Sequence, residues 1–328
     1  MTALLFLLGV GCSSPEQETS GTTFCSEAQW FKSPKLKVLC TTAQVGGLVA
    51  TVGGPDIATL VLIQGDLDPH SYQLVKGDDE KLDRADLVFA SGLGLEHGPS
   101  LQQFLMSQNK VQRLGDLVRE QNAGSLIRVD GQLDPHIWLD ISIWKETVPF
   151  ISDSLSKALP EHAQDFQKRA HELQVRLSTL DQDLLRAFHA IPEAKRYLVT
   201  SHDAFQYFTR RYLAATHERE SGAWRERLCA PEGLAPEGQL GLVDIQRVLS
   251  FCETHDVRVL FPESNVNISP LKKVVESGRQ RGYPLRLASE PVYGDTMGED
   301  GMCSLEHAYE TMMLHNQRTM TREWMELP

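Results

Sequence analysis

Between Glu161 and Phe188, apolar residues recur at Phe166, Ala170, Leu173, Leu177, Leu180, Leu184 and Phe188, always three or four positions apart. That spacing, held over so long a run, predicts one amphipathic helix. Pro160 suits its first turn and Pro192 stops its continuation. At ~1.5 Å per residue such a helix is about 40 Å long, enough to cross a small domain. Its other face is rich in Glu, Gln, Lys and Arg. The alternative to a strut between two lobes is an element of a helix bundle, and the flanking sequence favours the strut.

On both sides of this helix the chain has a different texture. KLKVLC (35–40), ATLVLI (58–63), ADLVFASG (85–92) and KVQRLGD (110–116) are short strand-like runs separated by helical patterns. RYLVTSH (196–202), VRVLFPES (257–264) and LRLASEPVYGD (285–295) repeat the style after it. Alternation of this kind predicts βα units and parallel sheets. A chain of 328 residues also exceeds the usual limit of one core. The expected division is an N-terminal α/β lobe over 35–160, a linking helix over 161–190 and a C-terminal α/β lobe over 191–328.

The first residues, MTALLFLLGVGC, hold an apolar run from Ala3 to Val10 that is too short to span a bilayer. It has the length of a signal-peptide core and ends in small residues before Cys12. Residues 1–11 therefore resemble a bacterial lipoprotein signal, with Cys12 as the lipid-carrying first residue of the mature chain and 12–34 as a flexible tether. No Lys or Arg precedes the run, and Gly9 stands where such signals carry Leu. Export would make disulfides possible among Cys25, Cys40, Cys229, Cys252 and Cys303, with Cys229–Cys303 as the suggested pair. No two cysteines form a CxxC pair, which argues against a thiolate zinc site. A net charge of −12 argues against nucleic acid as a partner.

The tetrapeptide LDPH occurs twice, in GDLDPHSYQL (65–74) and GQLDPHIWLD (131–140). In each copy a proline fixes the backbone φ just ahead of a histidine. A third histidine, His202, follows the run RYLVT, and Asp295 ends the run LRLASEPVYGD. Ligands of open α/β sheets bind at the carboxyl ends of strands, where all four residues are expected. Three imidazoles and a carboxylate make a complete set of donors for Zn, Fe or Mn-class ions. His70, His136, His202 and Asp295 are the expected metal ligands. Asp68, Asp134, Asp140, Asp203 and Glu263 are available to orient the imidazoles, and Glu299 or Asp300 could replace Asp295 on chemistry alone. The other eight histidines read as ordinary surface or core residues.

DPHSY (68–72), DPHIWLD (134–140), SHDAFQYF (201–208), FPESNVN (261–267) and PVYGDTMG (291–298) together resemble, in order, the metal-binding lipoproteins of zinc, manganese and iron ABC importers. The likeness is to the TroA-type (cluster A-I) members, especially the chlamydial branch, and runs over roughly residues 36 to 325. It implies two Rossmann-like (β/α)4 lobes joined by one long rigid helix, with the metal in the cleft between them. It also implies a monomeric receptor outside the cytoplasmic membrane that passes its ion to the transmembrane subunits of a permease. Histidine at position 202 places the chain with the TroA-like and zinc-binding members. The cargo would be a transition metal, Zn2+, Mn2+ or Fe2+/Fe3+, and the protein no enzyme. Irving–Williams ordering implies tighter binding of Zn2+ than of Fe2+ or Mn2+ in vitro. The rival reading is a zinc-dependent hydrolase with Glu263 as general base. A surface adhesin would have only the tether to support it.

Overall fold

Strand β1 (Leu36–Cys40) pairs in parallel with β2 (Ile57–Val61) on one side and with β3 (Leu87–Ala90) on the other. Parallel pairing of β3 with β4 (Val111–Arg113) completes a four-stranded sheet of order β2-β1-β3-β4. Every residue of β2 is buried, as expected of a parallel strand covered on both faces. The computed structural model describes residues 26–235, 241–297 and 307–326. The signal sequence, Cys12, Cys25, Glu299, Asp300 and Cys303 lie outside the described residues.

The tether read over 12–34 ends early. Glu27–Lys32 is a helix, opened by a capping box between Ser26 and Gln29. Trp30 docks it onto the sheet, fully buried and donating its indole N–H to the Ala58 carbonyl at 3.0 Å. The expected strand 110–116 is shorter than read, because a helix begins at Leu114 and runs to Asn122. A hairpin of β5 (Arg128–Val129) and β6 (Gln132–Leu133) then leads into the second LDPH segment.

The second lobe repeats the first with shorter pieces. Strand β7 (Leu198–Val199) pairs with β8 (Leu228–Cys229), and β9 (Val259–Leu260) pairs with β10 (Arg286–Leu287), all in parallel. The Phe261 amide donates to the Val199 carbonyl at 2.8 Å and so brings β9 beside β7. The resulting spatial order, β8-β7-β9-β10, is that of the first sheet. An isolated parallel bridge between Glu263 and Val292 extends the last pair toward the site.

The linking helix spans Ala163–His189 after a 3-10 turn at Pro160–His162. All seven residues of the apolar stripe are buried. It packs along helices of both lobes instead of standing clear of them. Its Arg169 reaches the end of the Ala43–Gly53 helix, donating to the Val52 and Gly53 carbonyls at 2.7 and 2.9 Å and pairing with Asp56 at 2.7 Å. Gly54, at φ +55°, turns the chain there, and a Cβ would lie 3.0 Å from that arginine side chain. One continuous apolar core joins Val38 and Leu48 of the first lobe, Leu173 and Leu177 of the linking helix, and Phe261, Met313 and Trp324 of the second. Smaller clusters cover the outer face of each sheet. Cys40, Cys229 and Cys252 are buried free thiols, and no two of these three are bonded to each other; Cys303, the other half of the suggested pair, is among the residues not described.

Candidate metal centre

The repeated LDPH segments share a local device. In each, the aspartate side chain accepts the backbone N–H of the histidine two residues on, Asp68 from His70 at 2.9 Å and Asp134 from His136 at 2.9 Å. This Asx turn, stiffened by the intervening proline, sets where each imidazole starts. His202 obtains the same support from a distance: its backbone N–H donates to Glu263 Oε1 at 2.9 Å.

The imidazoles are then aimed by their Nδ1 atoms. His136 Nδ1 lies 2.7 Å from Asp134 Oδ1, and His202 Nδ1 lies 2.8 Å from Glu263 Oε2. A carboxylate on Nδ1 fixes the tautomer that turns Nε2 outward as a donor. Gly294 makes room for this arrangement, since a Cβ there would fall 2.3 Å from Glu263 Oε2.

All four expected residues meet, and all four are buried. His136 Nε2 is 3.2 Å from His70 Nε2 and 3.4 Å from His202 Nε2. Asp295 brings Oδ1 to 3.3 Å from His136 Nε2, and Oδ2 to 3.2 Å from His202 Nε2 and 3.7 Å from His70 Nε2. A tetrahedral ion with bonds of about 2.1 Å, the length of Zn–N, sets its donor atoms about 3.4 Å apart, close to the separations of His136 Nε2 from His70, His202 and Asp295. Both Asp295 oxygens are buried and face only imidazole nitrogens, at 3.2 Å or more, without a well-aligned hydrogen bond. Carboxylate oxygens so placed need a cation or protons to offset their desolvation.

The charges of the metal-free cluster follow from burial and from neighbours. Burial pulls the His70 imidazole down to about 3, against the pull of Asp295, and leaves it neutral. Burial also lowers His136, but Asp134 and Asp295 outweigh it and raise that group to about 9. Burial works against the Asp295 carboxylate, yet His202 and His136 hold it well below the usual range.

A groove of about 890 Å³ opens beside the cluster, lined by His70, His97, Pro135, Asp203, Glu232 and Arg247 among others. His70 is the one residue of the four that lines it. His97, set aside in the sequence, lies next to the cluster with its ring centroid 5.6 Å from that of His70. Its position after the SGLGLE loop gave no sign of this. Of the five candidate orienting carboxylates, Asp134 and Glu263 contact imidazoles, and Asp68 holds the backbone of His70 and the Ser71 hydroxyl but no ring. Asp140 instead caps the Ile141–Trp144 helix, and Asp203 accepts from Gln206 at 2.7 Å. Two other groupings of possible donors, Asp56–His162–Asp165 and Glu193–His217–Glu218, are more exposed. Asp56 is taken up by Arg169, and Glu193 and Glu218 by Arg227.

The profile of the family described as "ZnuA: Zinc-uptake complex component A periplasmic" matches residues 38–323. This chain belongs to that family. Metal-binding protein YtgA of Chlamydia muridarum is 38% identical over 301 residues, covering 91% of this chain and 90% of the relative. Manganese-binding lipoprotein MntA of Bacillus subtilis is 31% identical over 290 residues, 88% of this chain and 89% of that one. The crystal structure of Fe(III)-bound YtgA from Chlamydia trachomatis superposes with a TM-score of 0.82 at 39% identity, covering 88% of this chain and 97% of the other. Periplasmic zinc-binding protein TroA from Treponema pallidum gives 0.77 at 25% identity, over 88% and 98%. Members of the ZnuA family are metal-binding receptors of ABC transporters rather than enzymes, and their named cargoes include zinc, manganese and iron. The hydrolase reading falls with this, and with the geometry. Asp295 fills the fourth corner, and both Glu263 oxygens face His202.

Proposed function

We propose that this chain is the extracytoplasmic receptor of a metal ABC importer, and that His70, His136, His202 and Asp295 are the ligands of its cargo. His70 and His136 come from the N-terminal lobe (35–160), and His202 and Asp295 from the C-terminal lobe (191–328), on either side of the linking helix. The observation that carries the reading is the convergence of these four buried donors, all within 4.8 Å of one another, on one point. No bond in the cargo is made or broken; the receptor captures an ion and hands it to the permease. His70, facing the groove, is where the ion enters and leaves.

Three carboxylates, Asp134, Glu263 and Asp295, surround the point occupied by the cargo. That balance suits a divalent ion and also tolerates a trivalent one. The receptor acts as a monomer at the outer face of the cytoplasmic membrane, held there by a lipid on Cys12. Calorimetry tests the ligand assignment. Zn2+, Mn2+ and Fe2+ should each bind the wild type with one ion per chain, and His136→Ala should lose most of that affinity. His255→Ala, whose ring stacks on Tyr197 at 4.2 Å, should keep it. Equal affinity in wild type and His136→Ala would remove the assignment.

A further inference from the structure

The two halves of the ligand set are joined by a residue that offers the ion nothing. Trp138 stands two residues after His136, its ring edge-on to that imidazole with centroids 5.2 Å apart. Its indole Nε1–H crosses to the other lobe and donates to the Gly294 carbonyl at 2.8 Å, directly beside Asp295. Its own carbonyl accepts the Tyr309 hydroxyl at 2.6 Å, from the C-terminal helix Ala308–Met325. Trp138 and Tyr309 are both about 1% exposed.

The Asp295 segment is thus held from two sides. Its own lobe clamps Tyr293, whose N–H and C=O both bond the buried Asn316 side chain at 2.8 Å. The opposite lobe holds Gly294 through Trp138 alone among the described hydrogen bonds. Moving Asp295 away from His136 therefore means breaking the indole bond as well as the bonds to the ion.

We infer that Trp138 is a positioning residue that sets how long the cargo is held, because its indole N–H latches the Asp295 segment to the His136 segment across the lobe boundary. The inference rests on the reading of those residues as ligands. Losing one buried neutral hydrogen bond corresponds to roughly a tenfold change in an equilibrium. The effect is read in dissociation, because the Asp295 segment cannot move away from His136 without breaking this bond.

Stopped-flow release of Zn2+ to excess chelator tests it, with Trp138→Phe, Tyr309→Phe and Trp144→Phe compared to wild type. Trp138→Phe keeps an aromatic ring on His136 but cannot donate to Gly294. Trp144, equally buried in the same lobe, has an indole Nε1 without a partner, so Trp144→Phe removes similar atoms and no hydrogen bond. Trp138→Phe should still bind one Zn2+ per chain and release it about tenfold faster. Tyr309→Phe should release it a few-fold faster, and Trp144→Phe at the wild-type rate. The double variant Trp138→Phe/Tyr309→Phe should fall short of the product of the single effects, since both bonds belong to one bridge. Wild-type release from Trp138→Phe would overturn the latch and leave the ligand assignment intact. Equal acceleration by Trp138→Phe and Trp144→Phe would also overturn it, as a packing effect. A wild type that takes up no Zn2+, or His136→Ala that keeps it, would overturn the ligand assignment itself.

Discussion

Asp134 and Asp68 occupy matching positions in the two LDPH segments, yet the structure gives them unequal work. Asp134 holds both the backbone and the ring of His136, whereas Asp68 holds the backbone of His70 and the hydroxyl of Ser71. Asp134→Ala should therefore weaken Zn2+ binding by about 10–100-fold, the usual cost of removing a carboxylate behind a ligating imidazole. Asp68→Ala should cost clearly less, and competition with a chelating dye reads both. Acidification acts on the same groups. Burial opposes the charge on His136, but Asp134 and Asp295 leave it raised to about 9, so the metal-free imidazole holds a proton at neutral pH. Burial opposes the charge on His202 as well, yet Glu263 and Asp295 hold it well above the usual imidazole range. Protons must leave both rings as the ion arrives, and affinity should rise with pH through neutrality and fall below it. Calorimetry in buffers of different ionisation enthalpy counts the released protons. A repeated tetrapeptide and strand-end positions mark His70, His136, His202 and Asp295 locally, and these four side chains converge in the fold. Glu263 is locally only one of several carboxylates, since its partner His202 is 61 residues away. Trp138 and Gly294 carry no local mark at all, their bond closing a loop of 156 residues.

Among the elements, the linking helix was the most legible, because helical periodicity is a property of neighbouring residues. The buried Asp181 was not, being a polar residue whose burial depends on Arg211 and Tyr212 from another segment. The stripe makes a direct prediction. Leu177→Ala, fully buried in the shared core, should cost about 2–5 kcal/mol of unfolding free energy. Val175→Ala, half exposed on the same helix, should stay within about 0.5 kcal/mol of wild type. Denaturant titration of metal-free protein separates them. The strands of the second lobe are shorter than the runs that mark them. In the central strand β9, Pro262 interrupts the run 257–264 and removes a backbone N–H that the strand would donate. Pairing of β9 with β10 ends at Leu260 and Leu287 and resumes at the Glu263–Val292 bridge.

At the scale of the molecule, the apolar core does not stop at the lobe boundary but runs through the linking helix from one sheet to the other. Buried hydrogen bonds reinforce the seam. The Tyr207 hydroxyl accepts the Ile127 amide and donates to the Asp134 carbonyl, each at 3.0 Å, and the Tyr212 hydroxyl accepts the Ile141 amide at 3.3 Å. Swinging the lobes apart would expose much of this apolar surface, a cost of about 25 cal/mol for every Å². A single bound ion has no need to drive such a motion. On the ligand assignment proposed above, local loosening of the Asp295 segment would free it. The ion should accordingly leave the shape of the protein unchanged while raising its stability. At a thousandfold excess over Kd the gain is about 4 kcal/mol. Small-angle scattering should give the same radius of gyration with and without Zn2+, within error, where a hinge-closing receptor would contract. Calorimetric scans of the same samples should show Tm rising with Zn2+, returning on addition of EDTA, and unresponsive in His202→Ala. A marked contraction on metal binding would mean that the shared core opens in the empty receptor, and that the lobes are coupled far more weakly than their packing indicates.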